Sequence, residues 1–305
     1  MSERARIGVL GSANMDLVVQ VDTPPRPGET IFGNGFFTVP GGKGLNQAVA
    51  AARAGADVTF IGTVGDDAYG TELAELMAGE GISAGQLRRS GTTGTAHITV
   101  DGTGQNSIIV VSAANLLTTA DQVTDESLAG LGWLVTQLEL ELDTVRIALA
   151  RARAAGLRTV LTPAPARELD EDLLATVDLL VPNELEACLL ARLDNPLRAA
   201  CELSKLCGDV VVTLGPDGAV WATGGRVAGE VAGRAVKAVD TTGAGDGFVG
   251  ALVTLLAEGV GMADALDAAT AAAAIAVTRP GATRSLASRA EIDALLGDRG
   301  SGPDR

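Results

Sequence analysis

The chain has 305 residues, 47% of them hydrophobic, enough to bury the core of one large domain or two ordinary ones. Its formal charge of −15, from 38 acidic against 23 basic residues, opposes binding to nucleic acid or to an anionic membrane surface, since both gain affinity from Lys and Arg. Cys188, Cys201 and Cys207 are odd in number and lack CxxC spacing, so no disulfide framework or zinc site is indicated and buried free thiols are expected.

Glu3, Arg4 and Arg6 lead straight into a short buried strand, Ile7 to Leu10, without an apolar signal core. The longest apolar run, Ala268 to Val277, is too short to cross a bilayer, so a cytoplasmic location is expected. Further short apolar strands are read at Val58 to Ile61, Trp133 to Val135, Thr159 to Leu161, Leu179 to Val181 and Val210 to Val212. Helical patterns at Asn46 to Ala54, Gly70 to Ala78, Leu142 to Ala155 and Asn183 to Ala191 fall between most of them. Strands separated by helices predict an α/β fold, a mostly parallel sheet covered on both faces, with ligands beyond the strands' carboxyl ends. A strand pair around Ala219 to Val231 is followed by a strand at Arg234 to Val239 and helices at Gly245 to Glu258, Met262 to Thr278 and Ser288 to Leu296. The Gly- and Asp-rich tail, residues 297–305, is expected to fray.

Two stretches break the alternation. Leu17 to Val21 and Thr30 to Val39 have no helix between them, and Thr95 to Val100 with Asn106 to Val111 read as a hairpin around Asp101-Gly102. Such strands do not join a buried parallel sheet easily, so a small separate sheet is expected, a lid from two insertions at about 15–40 and 94–112 on a single domain spanning 1–305. Edge extension of the main sheet is the alternative.

Asp240-Thr241-Thr242-Gly243-Ala244-Gly245-Asp246 runs into an Ala/Leu-rich helix. Gly243, Ala244 and Gly245 then present N–H groups at the positive end of that helix, and Asp246, in its first turn, can take a proton from an attacking hydroxyl. A tight turn with an acidic helix start is the competing reading. Gly41-Gly42-Lys43-Gly44-Leu45-Asn46-Gln47 is a second Gly-rich helix start, and it fits neither the Walker A loop nor the dinucleotide fingerprint. Its glycines allow close approach of a small ligand, while Lys43 and Asn46 can donate to hydroxyls. Asn14 and Asp16 follow the first strand and Glu139 another, where polyol recognition finds its donors and acceptors. Asn183 and Glu186 have capping-box spacing, and the same pair can hold phosphate and hydrated Mg²⁺.

Together these segments resemble the ribokinase family of sugar kinases, over nearly the whole chain from Gly11-Ser12-Ala13-Asn14-Met15-Asp16 to the last helices. The resemblance implies a three-layer α/β/α domain with a small β-sheet lid, and ATP-dependent phosphorylation of a sugar. D-ribose at its 5-hydroxyl is the expected acceptor; another furanose, a deoxysugar or a nucleoside is the alternative, and a non-catalytic sugar or nucleotide sensor a remote one. It implies that Asn14, Asp16, Gly42, Lys43, Asn46 and Glu139 hold the sugar, that Asp246 is the base, and that Gly243 to Gly245 form an anion hole. ATP contacts are implied for Asn183, the loop Thr213, Leu214, Gly215, Pro216, Asp217 and Gly218, for Gly245 and Asp246, and for Thr270 near the adenine. Glu186 would organise Mg²⁺ indirectly; K⁺ is expected at Asp240, Thr242, Ala276, Arg279, Gly281 and Ser285, with Arg279 giving only a carbonyl. A homodimer through the lid is implied as well. Gly247, Thr270 and Thr162 depart from the family pattern, and none of the three is expected to touch the base or the anion hole. His97, in a lid strand, is read as structural.

Overall fold

The computed structural model describes residues 4–297, so all but the first residue of the expected tail lies outside the described residues. In chain order the elements are β1 (Arg6–Leu10), β2 (Asn14–Gln20), β3 (Gly35–Gly41), α1 (Lys43–Ala54), β4 (Asp57–Val64), α2 (Ala68–Gly79) and β5 (Ser83–Arg89). Then follow β6 (Gly94–Val100), β7 (Asn106–Val111), α3 (Asp125–Leu128), β8 (Trp133–Thr136), α4 (Leu142–Ala154), β9 (Arg158–Leu161), α5 (Glu171–Leu174), β10 (Leu179–Leu180), α6 (Glu184–Ala191) and α7 (Pro196–Leu203). The chain ends with β11 (Asp209–Thr213), β12 (Gly218–Thr223), β13 (Arg226–Ala232), α8 (Ala244–Ala257), α9 (Met262–Val277) and α10 (Arg289–Gly297).

Nine strands form the main sheet in the order β13-β12-β11-β10-β9-β8-β1-β4-β5. From β11 to β5 every pairing is parallel, and β12 and β13 close one edge as an antiparallel hairpin. Alternate strand residues serve two separate cores. Val9, Phe60, Val135 and Val211 pack under α1, α2, α8, α9 and α10, whereas Leu10, Ile61, Leu134 and Val212 pack under α4, α5 and α7. Strands buried on both faces read as continuous apolar runs, which is why they were legible in sequence.

The small sheet is separate, in the order β3-β2-β6-β7, with β2 and β6 parallel and its other pairs antiparallel. Asn14 pairs with both Gly41 and Gly94 in register, so this sheet starts at the main sheet's carboxyl edge. All six residues of β7 are exposed, including Ile108 to Val111.

Four expectations need correction. No strand forms at Arg234 to Val239: the segment is irregular and meets no sheet edge, although its apolar alternation is strand-like. β5 was not anticipated, because an exposed edge strand such as SAGQLRR needs no apolar pattern. β3 starts at Gly35 rather than Thr30. The three thiols are free but only partly buried.

Small residues bring α1 and α8 together. A Cβ on Gly250 would lie 2.4 Å from Ala50 Cβ and 2.7 Å from the Ala51 nitrogen, and the Thr254 hydroxyl donates to the Gly250 and Ala51 carbonyl oxygens. One turn back from Ala50 and Gly250 stand Asn46 and Asp246, so close helix packing delivers those two side chains to each other. Gly250→Val is therefore expected to cost about 2 kcal/mol or more through overpacking, and to lower kcat by drawing the amides away from Asp246. Thermal unfolding and steady-state kinetics of that variant check it.

Candidate active site

Asp246 sits in the first turn of α8 and is 8% exposed. Its Oδ2 accepts from Asn46 Nδ2 at 3.0 Å and its Oδ1 from Gln47 Nε2 at 2.9 Å. Burial raises its pKa; Lys43 and the two amides pull it back down, and Glu139 pushes it up, with a net rise. Lys43 shows the converse balance: burial pulls its pKa down, but Asp246, Glu139 and Glu186 more than offset that, so the ammonium is held charged.

A cleft of about 210 Å³ is lined by Lys43, Thr162, Asn183, Glu186, Thr213, Thr241, Gly243, Gly245 and Asp246, among others. It therefore unites five segments of the sequence that lie far apart. Gly243 caps α8 with φ 76°, where a Cβ would come within 3.2 Å of Ala282 Cα, so glycine is required. The N–H of Ala244 points back to the Thr241 carbonyl at 3.3 Å. An anion at this helix start is thus met first by N–H groups further into the turn, at Gly245 and Asp246, which have no carbonyl one turn earlier in the helix.

A second cavity, of about 620 Å³, lies between the small sheet and the segments 238–242 and 280–284. Asp16, Phe37, Val39 and Ile108 line its sheet side, and Thr241 lines both cavities. Asp16 is 8% exposed, and burial first, then the charges of Glu139 and Asp246, push its carboxyl up to about 7. A Cβ on Gly41 would lie 2.3 Å from Asp16 Oδ2, so that glycine makes room for the carboxylate. Glu139, past the end of β8, accepts from the Ser12 hydroxyl and from the Lys43 N–H at 3.1 Å. Asn14 Oδ1 accepts from Asn115 Nδ2 at 2.6 Å. Gly42 has φ 90°, and a Cβ there would lie 2.9 Å from the Asn14 nitrogen, so glycine lets the two segments meet.

Asn183 and Glu186 do form the capping box, Asn183 Oδ1 taking the Glu186 N–H at 2.8 Å and Glu186 Oε2 the Asn183 N–H at 2.9 Å. Glu186 remains in the cleft, its carboxyl raised by burial. Thr213, the last residue of β11, lines the cleft, while Gly215, Pro216 and Asp217 in the loop after it are exposed. Thr270 is buried in α9 and its hydroxyl donates to the Leu266 carbonyl at 2.8 Å; it lines neither cavity. His97 is exposed and shares a hydrogen bond with Thr95.

Asp240 ties two loops together. Its Oδ1 accepts from the Thr242 N–H and hydroxyl at 2.9 and 2.7 Å, and its Oδ2 from the Gly281 N–H at 2.9 Å. Burial opposes these bonds, but they hold its pKa below the ordinary value. Arg279 gives its guanidinium to Glu291. Ser285 is fully buried, with its hydroxyl on the Ala282 carbonyl at 2.8 Å.

Sequence reasoning missed Gln47, Gln137 and Asn115, whose contacts depend on the fold. Thr162, expected not to touch the base, lines the same cleft as Asp246 and accepts from Gln47 Nε2 at 3.4 Å. Gly247, by contrast, is packed against Leu286.

A carboxylate clamped at a helix N-terminus, with a buried ammonium and a second, carboxylate-lined cavity beside it, defines a phosphotransferase acting on a small hydroxylated acceptor. The chain belongs to the pfkB family of carbohydrate kinases, whose sequence pattern it matches over residues 4–289, and is an ATP-dependent carbohydrate kinase. It is 39% identical over 306 residues to a ribokinase of Schizosaccharomyces pombe, the match covering 94% of this chain and 96% of the relative. Among solved structures it is similar to a ribokinase of Thermotoga maritima, with a TM-score of 0.90 at 36% identity over 97% of this chain and all of that one. It is also similar to a ribokinase of Arabidopsis thaliana solved with ribose and ATP, with a TM-score of 0.86 at 30% identity over 96% and 98%.

Proposed function

We propose that this kinase transfers the γ-phosphoryl group of ATP to the 5-hydroxyl of D-ribose, giving D-ribose 5-phosphate. The observation that carries the reading is the Asp246 carboxylate, held by two amides at the N-terminus of α8 in a cleft shared with Lys43. The likeness to ribokinases supports ribose as the acceptor.

The sugar occupies the space bounded by Asn14, Asp16, Gly42, Lys43, Asn46 and Glu139. Asn46 Oδ1 is buried without a partner, and a sugar hydroxyl would satisfy it. Asp246 then takes the proton of the attacking hydroxyl, while the helix start at Gly243 to Gly245, with the N–H groups of Gly245 and Asp246 foremost, and the helix dipole stabilise charge on the transferring group. ATP reaches the cleft along Asn183 and the Thr213 to Gly218 loop; Thr270, its hydroxyl turned into α9, is left out of that contact.

Mg²⁺ usually keeps several waters and takes one or two carboxylates plus phosphates, which suits Glu186 as an indirect partner. For K⁺ the proposed donors are all oxygen: the Asp240 carboxylate, the Thr242 and Ser285 hydroxyls, and main-chain carbonyls at Ala276, Arg279 and Gly281. This set fits K⁺, which when bound would add positive charge beside the anion hole. The small sheet acts as a lid that excludes water. Its unpaired edge, the exposed apolar β7, supports a homodimer in which a second lid covers it. The whole chain forms one kinase domain that works in the cytoplasm.

Steady-state kinetics across ribose, deoxyribose, fructose and adenosine test the acceptor, with one arm in which tetramethylammonium replaces K⁺. Ribose is expected to give the highest kcat/KM and the exchange to lower kcat. A better acceptor among the other three overturns the ribose assignment, and indifference to the exchange removes K⁺ from it.

A further inference from the structure

Two buried glutamines stand behind the proposed base. Gln47 is 1% exposed and Gln137 is fully buried, and neither lines either of the two cavities described above. Gln137 Nε2 donates to Gln47 Oε1 at 2.7 Å, and Gln47 Nε2 donates to Asp246 Oδ1 at 2.9 Å. Polar side chains this deep cost stability unless something requires them.

An amide has one accepting and one donating end, so a chain of amides has a direction. Asp246, as a carboxylate, only accepts. Gln47 must therefore turn its NH₂ to Asp246, which leaves its carbonyl oxygen facing Gln137. Gln137 in turn must offer its NH₂ and face its own oxygen the other way. That oxygen, Gln137 Oε1, is buried and has no partner, and it fills the place a side chain on Gly11 would take, 2.3 Å from a Cβ there. The opposite orientation would set a carbonyl oxygen against the carboxylate. An orphaned acceptor at the far end is the mark of a chain whose orientation is fixed at the near end.

We infer that Gln137 and Gln47 form a directional relay that holds the Asp246 carboxylate in its catalytic orientation, Gln47 acting on Asp246 and Gln137 acting only through Gln47. Both are positioning residues, shielded from the substrate. The inference rests on the reading of Asp246 as the base.

The test is full-length enzyme with Gln47→Met, Gln137→Met and the double substitution, with ribose and ATP as substrates. Gln47→Met is expected to lower kcat about tenfold, the loss of one orienting bond, and to leave KM for ribose within about twofold. Gln137→Met should lower kcat about threefold, and the double variant should match Gln47→Met alone, since a relay has no second effect once its last link is gone. Losing the Gln47 donor also removes one influence that lowers the Asp246 pKa, so the acid limb of the kcat/KM profile should move to higher pH. The other charges facing Asp246, which are Lys43, Glu139, Asp16 and Glu186, are unchanged in these variants.

Unchanged kcat in Gln47→Met, or losses that multiply in the double variant, overturn the relay. If Gln47→Met does not fold, Gln137→Met alone decides: kcat and acid limb as in the wild type overturn it. Asp246→Asn, run alongside, separates the two readings. Full turnover there sinks the base assignment, whereas loss of turnover there with a wild-type Gln47→Met sinks only the relay.

Discussion

Replacing Asp246 by Asn is expected to lower kcat by about 10²- to 10⁴-fold, the usual contribution of a general base, while sugar affinity changes by no more than a few-fold. The side chain keeps its shape: Gln47 still donates to its oxygen, and a flip of the Asn46 amide, whose Oδ1 has no partner, can meet the new NH₂. What disappears is the ability to accept the proton of the attacking hydroxyl as the bond to phosphorus forms. The surroundings tune that ability. Burial raises the proton affinity of Asp246, while Lys43 and the amides of Asn46 and Gln47 restrain the rise. The base is thus a better proton acceptor than a solvated Asp, yet still ionised once pH exceeds its raised pKa. Activity should accordingly be lost as pH falls through that value in the wild type. Single-turnover measurements and equilibrium sugar binding separate the chemical step from affinity. Turnover within tenfold of the wild type would remove Asp246 from the mechanism.

What the sequence disclosed about this site follows from where the information lies. Asn14, Glu139 and Asn183 each stand just past an apolar strand and Thr213 ends one, and the rule that ligands sit at the carboxyl ends of parallel strands picks them out without any tertiary contact. Asp246 and Lys43 were marked by glycines at a helix start, another local signal. Gln47 lay inside a motif read for its neighbours, yet its bond to Asp246 spans 199 residues and that to Gln137 spans 90. The bond from Gln47 to Thr162 spans 115 residues and was hidden for the same reason. Gly41 and Gly250 look like any other small residue until the carboxylate of Asp16 or the helix α1 is placed against them. Local alternation also misled at Arg234 to Val239, where no strand edge is available to pair with, and could not reveal β5, whose outer face needs no apolar residues.

Asp16 carries the other large effect, in which stability and function oppose each other. Its ordinary pKa of 3.8 is pushed to about 7 in the folded chain, through burial and the nearby charges of Glu139 and Asp246. A carboxyl with a raised folded pKa binds more protons in the native than in the unfolded state between those two values. Stability therefore falls as pH rises from about 4 to 7, and above 7 the full cost remains, on the order of 4 kcal/mol. Asn at this position has no charge to desolvate. Asp16→Asn is thus expected to unfold at a higher temperature than the wild type at pH 8, with the difference shrinking towards pH 4. The same change should raise KM for ribose about 10- to 100-fold, since a hydrogen bond between a hydroxyl and a charged acceptor contributes about 1.5–3 kcal/mol. Thermal unfolding at pH 4, 5 and 8, together with KM at pH 8, checks both halves. Equal midpoints for the two proteins at every pH would show that the buried charge carries no such cost, and an unchanged KM would take Asp16 out of the sugar site. If both halves hold, Asp16 is a residue kept at the expense of the fold, and bound sugar should recover part of the difference: hydroxyls donating to the carboxylate replace the water it lost on burial.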